Sequence, residues 1–203
     1  MKKLTLLLAI VMILGLVASA SAIDQKGKVA IGGYAGYGMG FGDAFKDVKV
    51  GYDDPVLGFV GYSFKNKLTF AFGGKVSYGL TPNLALVGAL DYQAGKAEVK
   101  VSAGGFGAGA SESYHWMAIL ANIKYVLTPE AKTCPYLTVG GGFYMPEEGD
   151  SKPGVNGGIG LEHFFQPNLA LDAGARFHMI FTEDNSTTYA QILVGVIYYL
   201  GVK

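Results

Sequence analysis

Apolar residues recur at every second position through one segment of this chain after another, and that period fits only strands with one apolar and one polar face. In 169–181 the odd positions are Leu169, Leu171, Ala173, Ala175, Phe177, Met179 and Phe181, while the even ones include Asp172, Gly174, Arg176 and His178. In 84–95, Leu84, Leu86, Leu90 and Tyr92 oppose Asp91 and Gln93, and in 70–80, Phe72, Val76, Tyr78 and Leu80 oppose Lys75 and Ser77. The parity repeats in 155–165, with Val155, Ile159, Leu161 and Phe165 against Asn156 and Glu162. It repeats again in 117–127, with Ile119, Ile123, Tyr125 and Leu127 against Asn122 and Lys124.

Three Pro-containing turns, Thr81-Pro82-Asn83, Thr128-Pro129-Glu130 and Gln166-Pro167-Asn168, join neighbouring runs; proline at the second turn position presets φ for a short reversal. The other connections, 42–67, 97–111, 146–152 and 183–186, are polar or Gly-rich and mostly longer. One turn-strand unit is used twice as text, Pro82-Asn83-Leu84-Ala85-Leu86 and Pro167-Asn168-Leu169-Ala170-Leu171. The pattern predicts eight strands: 29–41, 68–80, 84–96, 113–127, 135–145, 153–165, 169–182 and 188–201. Asp53-Asp54-Pro55 followed by the strand-like 56–64 leaves a count of ten open. A hairpin excursion outside the membrane is the preferred reading, because Lys46, Lys49, Asp53 and Asp54 would be costly against lipid.

Composition narrows the setting. Sixteen Lys+Arg balance sixteen Asp+Glu, which argues against nucleic acid as a partner, since that binding draws on a basic excess. A single cysteine excludes an intramolecular disulfide and a cysteine-cluster metal site. Met1-Lys2-Lys3, an apolar run from Leu4 to Val17 and the small residues Ala18-Ser19-Ala20-Ser21-Ala22 read as a signal peptide, residues 1–22, cleaved after Ala22. Residues 23–203 are then the exported domain. Beyond residue 22 no run approaches the ~18 apolar residues of a spanning helix.

An all-β antiparallel up-and-down barrel in the outer membrane satisfies all of this: even strand number, short turns at one end, longer loops at the other, and full closure because lipid cannot pair a free sheet edge. A soluble β-sandwich also alternates, but it gives no reason for strands that end in aromatic bands. Here Tyr78, Tyr125, Phe165 and Tyr198 collect on the outward parity near the tight turns, and Phe41, Phe72, Tyr92, Phe143 and Phe181 near the loops, as two headgroup girdles. Gly32, Gly36, Gly38, Gly40, Gly140 and Gly142 fall on the inward parity, where small residues relieve a crowded lumen.

Gly79-Leu80-Thr81-Pro82-Asn83-Leu84-Ala85-Leu86, its echo at 166–171 and the alternation Gly33-Tyr34-Ala35-Gly36-Tyr37-Gly38 resemble the small outer-membrane β-barrels similar to the membrane domain of outer-membrane protein A and to opacity-type porins. The resemblance covers residues 28–201 and implies architecture more than activity. Two departures stand out: the terminal aromatic read by the barrel-assembly machinery is displaced inward to Tyr198-Tyr199, and no peptidoglycan-binding domain follows the barrel, so a cell-wall tether is not supported. The partners implied are outer-membrane lipids and lipopolysaccharide, the assembly machinery during biogenesis, and a ligand or surface partner at the outer loops.

Inward parity places Lys75, Lys124 and Arg176 with Asp91, Glu162 and Asp172 in the lumen. Such a set is either a selectivity gate or a salt-bridge plug, and the plug is preferred because eight strands leave room for little but side chains. The expected role is structural or surface-interacting, through the loops; a small pore or a conduit for hydrophobic compounds is the alternative, which inward Leu193, Ile197 and Tyr199 permit. Catalysis is not expected: no Gly-x-Ser-x-Gly elbow occurs, and His115, His163 and His178 lie in no nucleophile or metal-ligand motif. Residues 104–109 mimic a phosphate loop but lack its Lys and its helix, so they read as a flexible outer loop. Cys134, beside a turn, reads as a near-surface residue with an intermolecular disulfide left open. Nothing gives a reason to expect a cofactor or a metal.

Overall fold

The computed structural model describes residues 24–56, 58–103, 106–182 and 186–201; the signal peptide expected at 1–22 lies outside them. Nine strands follow in order: β1 (Val29–Phe41), β2 (Val48–Asp54), β3 (Gly58–Gly79), β4 (Leu84–Ala103), β5 (Phe106–Val126), β6 (Thr133–Pro146), β7 (Lys152–Gln166), β8 (Leu169–Phe181) and β9 (Ser186–Tyr199), with one 3-10 turn at Asp43–Phe45. They form one sheet in the order β1-β9-β8-β7-β6-β5-β4-β3-β2, and β1 also pairs with β3. Eight strands therefore close a ring, from Val29↔Tyr78 to Tyr37↔Phe70 at the seam, and β2 lies outside it against β3. The ring thus has the eight strands preferred from the sequence, with a hairpin excursion outside it, and the alternative of ten is set aside.

The tight turns are held by the residues that signalled them. Leu84 N donates to Thr81 Oγ1 at 3.0 Å, Ala131 N to Thr128 O at 3.2 Å, and Pro167-Asn168 alone separates the paired residues Gln166 and Leu169. Both ends of the ring sit on this side, where Leu200 N donates to Val29 O at 2.8 Å.

Two segments expected as loops are strands. β4 and β5 stay paired from Lys96↔Ser113 to Ala103↔Phe106, so neither 97–111 as a whole nor its Gly-rich part 106–109 is a loop. β3 likewise begins at Gly58, paired on one side with β2 (Val48↔Phe64 to Asp54↔Gly58) and on the other with β4 (Gly61↔Ser102 to Leu68↔Gly95). A four-stranded sheet, β2-β3-β4-β5, consequently stands beyond the rim of the barrel. The polar residues of these segments mark where contact with lipid ends, and the backbone ladder continues past that level because water does not forbid it.

The lumen is layered. At the turn end Ala30, Val126, Cys134, Tyr136, Phe164, Ala170, Ile197 and Tyr199 form one apolar cluster. At the loop end Leu68, Ala89, Trp116, Ala118, Leu120, Tyr144, Ile180 and Tyr189 form another, with Phe45 from the 3-10 turn packed against it. Charged and amide side chains are buried along the wall between and among them. Cys134 belongs to the first layer, fully buried, with its Sγ donating to Ala131 O at 2.9 Å. That corrects the near-surface reading: an inward parity position beside a turn points into the layer that seals the barrel end.

Glycine spacing lets the strands approach. A Cβ at Gly32 would lie 2.8 Å from Val196 O, and one at Gly36 would fall on Ile192 O, whereas one at the outward Gly88 would meet nothing within 4 Å.

Candidate functional site

Inside the ring, the six charged residues expected there are brought together as three ion pairs. Lys75 Nζ lies 2.8 Å from Asp172 Oδ2, Lys124 Nζ 2.8 Å from Glu162 Oε1, and Arg176 Nη1 2.7 Å from Asp91 Oδ2. The partners come from different sides of the barrel: Asp91 on β4 and Arg176 on β8 are four strands apart in a ring of eight. Glu162 and Asp172, by contrast, are direct cross-strand neighbours. Two carboxylates opposite each other repel, so each needs its own cation, and Lys124 and Lys75 supply them from β5 and β3.

Tyrosines complete each carboxylate. Tyr199 donates to Glu162 Oε2 at 2.7 Å, Tyr136 to Asp172 Oδ1 at 2.8 Å, and Tyr34 to Asp91 Oδ1. The Tyr136 ring is also approached by both lysines, with Lys75 Nζ 5.7 Å and Lys124 Nζ 5.6 Å from its centroid, and Arg176 lies 5.4 Å from the Tyr34 ring. Charge-assisted bonds and cation–π contacts offset the desolvation that burial imposes on these ions. What remains between Tyr34, Lys75, Asn122, Lys124, Tyr136 and Arg176 is a cavity of about 30 Å³, room for roughly two waters. Asn156 Nδ2 and Oδ1 and Asn122 Oδ1, buried on either side of Gly140, have no protein partner, and Asn122, which lines the cavity, gives such waters a polar group to bind.

A second network lies nearer the loops, and its pairing was not read from the sequence. Gln93 Nε2 faces only carbonyls, those of Ala94 at 2.7 Å and Phe70 at 3.2 Å, which fixes its amide and turns Oε1 toward Gln191 Nε2 at 3.1 Å. Gln191 Oε1 must then accept from His178 Nε2 at 3.0 Å, leaving His178 Nδ1 to accept from the Tyr144 hydroxyl at 2.8 Å. The fully buried imidazole is stacked on Tyr189, centroids 4.4 Å apart, and Tyr189 in turn accepts from Trp116 Nε1 at 3.3 Å. Parity already places Gln93 and His178 on the inward face with Asp91 and Arg176; Gln191, Tyr144, Tyr189 and Trp116, which share that wall and complete the network, carry no charge and were not singled out.

The outward aromatics are placed as follows. Phe41, Phe72, Tyr78, Tyr125, Phe143, Phe165, Phe181 and Tyr198 are exposed on the outer wall, and Tyr92 is half-covered because Phe72 and His115 stack on it at 4.7 Å and 5.1 Å. His115 Nδ1 also lies 2.9 Å from Glu147 Oε2, and His163 Nδ1 is 2.8 Å from Thr133 Oγ1. Among the described residues no three His, Cys, Asp or Glu side chains are placed to hold a metal.

A family model described as outer membrane protein beta-barrel domain matches residues 7–199. Among solved structures, the outer membrane protein OprG from Pseudomonas aeruginosa is 12% identical, with 87% of this chain and 98% of that chain covered at a TM-score of 0.53. Ail, the attachment invasion locus protein of Yersinia pestis, is 14% identical over 86% and 99% of the two chains at 0.48. The N-terminal β-barrel domain of Pseudomonas aeruginosa OprF is 13% identical over 85% and 98% at 0.46. Likeness at such identity speaks to the fold alone, and none of the curated proteins compared with the sequence matches it.

Proposed function

The chain belongs to the outer-membrane β-barrel family, and from that premise we propose that it is a plugged barrel serving as a rigid anchor for an interacting surface outside the cell. Family membership puts it in the bacterial outer membrane; in this reading the short turns face the periplasm and the longer connections lie outside, the usual arrangement of such barrels. The observation that carries the reading is the filled lumen: three ion pairs tie β3, β4 and β5 to β7 and β8 across the interior, with about 30 Å³ left among them. An ion in transit would have to part charges that are each matched by a cation and a tyrosine. The projecting β2-β3-β4-β5 sheet is what the anchor would present. Its lumen-side face is apolar and open to solvent, with Val48, Val50, Tyr52, Tyr62, Val99 and Val101 all exposed, and exposed apolar surface on a rigid support is where binding resides.

The alternative is passage of small hydrophobic compounds, and one observation favours it: the outer half of the lumen is lined by Leu68, Trp116, Leu120 and Ile180. Single-channel recording of the refolded protein in a planar bilayer separates the readings. A closed wild type that stays closed as Glu162→Ala and Arg176→Ala supports the plugged anchor. Steady channels altered by either substitution would overturn it in favour of transport.

A further inference from the structure

On its lipid side the projecting sheet carries a different chemistry from its lumen side. Following the outer wall upward on β3, the side chains are Tyr78, Val76, Gly74, Phe72, Phe70 and then Lys67; on β4 they are Leu86, Gly88, Leu90, Tyr92, Ala94 and then Lys96. Lys67 and Lys96, the first charges above the apolar wall on their strands, are direct cross-strand partners. Like charges placed opposite each other on one face are destabilising unless something negative lies between or beside them. Lys67 has Glu98, whose oxygens are 3.2 and 3.3 Å from its Nζ. Lys96 has no ion-pair partner among the described residues, and neither has Lys100, four residues further along the same face beyond Glu98.

Lys65 and Lys49 extend the cluster, Lys65 directly opposite Glu98 and Lys49 on β2 opposite Ser63. The acids on this face are Glu98, Asp47, which bonds Lys65, and Asp53 at the tip, so five lysines outnumber them. The surplus shows in Glu98 itself, whose carboxyl is held below the usual carboxylate range by the Lys67 hydrogen bond and charge, with Lys100 and Lys96 adding to it. A depression of about 160 Å³ opens between Lys49, Ser63, Lys65 and Lys100, with the carboxylates of Asp47 and Glu98 also on its walls, so three lysines face two acids there. Directly below stands a ladder of rings on the outer wall, Phe70, Phe72, Tyr92 and His115, each stacked on the next with centroids 6.2, 4.7 and 5.1 Å apart. Aromatic side chains of this kind settle at the boundary between acyl chains and headgroups, and from Tyr92 to Lys96 the strand rises only ~13 Å.

We propose that the lipid-side face of β3 and β4, centred on Lys67, Lys96 and Lys100, binds the phosphates of an outer-leaflet lipid whose acyl chains lie against the aromatic ladder below. A phosphate between Lys67 and Lys96 relieves their repulsion, and the surplus charge of Lys100 and Lys49 reaches a second phosphate on the same headgroup. The lipid source follows from position, because the cluster begins where the lipid-facing wall ends. The site lies on the outer wall and does not depend on whether the lumen conducts.

Native mass spectrometry of the refolded protein, titrated in detergent with doubly phosphorylated lipid A, tests this. The wild type should retain the lipid and Lys96→Gln/Lys100→Gln should retain it at least about tenfold more weakly, since each lysine near an anionic surface counts for about a fivefold change. Lys132→Gln, at the turn end, should behave as wild type. Dephosphorylated lipid A should bind poorly to the unmutated protein, a comparison that needs no variant. Should the double variant fail to fold, which the heat-dependent gel shift of a barrel reports, the exposed single variant Lys100→Gln reads the same effect. Equal retention by wild type and folded variant, or equal retention of both lipids, overturns the proposal. So does displacement of the lipid by millimolar inorganic phosphate, which would make the cluster a site for free phosphate.

Discussion

Glu162 shows most clearly how the interior of this barrel is held: it is fully buried, faces Asp172 across the strand pair, and bonds Lys124 and Tyr199. Removing it strands Lys124 without its counter-charge, so Glu162→Gln is expected to cost about 3–5 kcal/mol, read as a lower urea midpoint of the folded barrel in lipid vesicles. The double change Lys124→Met/Glu162→Met should recover most of that loss, because a matched apolar pair leaves no orphaned charge. Glycines give a second contrast. Gly36→Ala forces a Cβ onto the Ile192 carbonyl and should destabilise by about 1–3 kcal/mol, whereas Gly88→Ala, open toward lipid, should be neutral or slightly stabilising by the same measurement. Parity alone put all six lumen charges on the inner wall. Who pairs with whom was not legible, since pairing depends on the stagger between strands distant in sequence, and Tyr34, Tyr136 and Tyr199 gave no charge to notice.

At the level of the strand, the turns were legible and the outer strand ends were not. Pro82, Pro129 and Pro167 each sit where the chain reverses, but β4 and β5 run on to Ala103 and Phe106 through residues whose polarity reads as loop. The reason is environmental: lipid demands an apolar face from a strand, water does not, and polarity therefore reports the height of the membrane and not the end of the ladder. The projecting part of β4 and β5 should accordingly be dispensable for folding. Replacing 98–111 by a short Gly-Asn turn should leave the heat-dependent gel shift of the barrel unchanged while weakening lipid A retention about fivefold through the loss of Lys100, because the excised strands are mostly exposed and the ring pairs remain.

Taken whole, the molecule is a ring with its chemistry sorted by height: an apolar seal and charged pairs toward the turn end, aromatics and a stacked imidazole nearer the loops, and a sheet with one basic and one apolar face beyond the rim. On intact cells a membrane-impermeant amine reagent should modify Lys46 and Lys65, on the loop side and outside the proposed lipid contacts, and spare Lys26 and Lys132, as mass spectrometry of the digested protein would show; the reverse pattern would invert the orientation. A further property follows from the hydrogen bond between Leu200 and Val29 and the pairing of β9 with β1. The order of strands is cyclic, and the break between first and last is a matter of where synthesis starts, not of where the wall is weak. A permuted gene that links residue 201 to residue 28 and opens the chain at Pro167-Asn168 should therefore yield the same barrel, with its new ends still facing the periplasm.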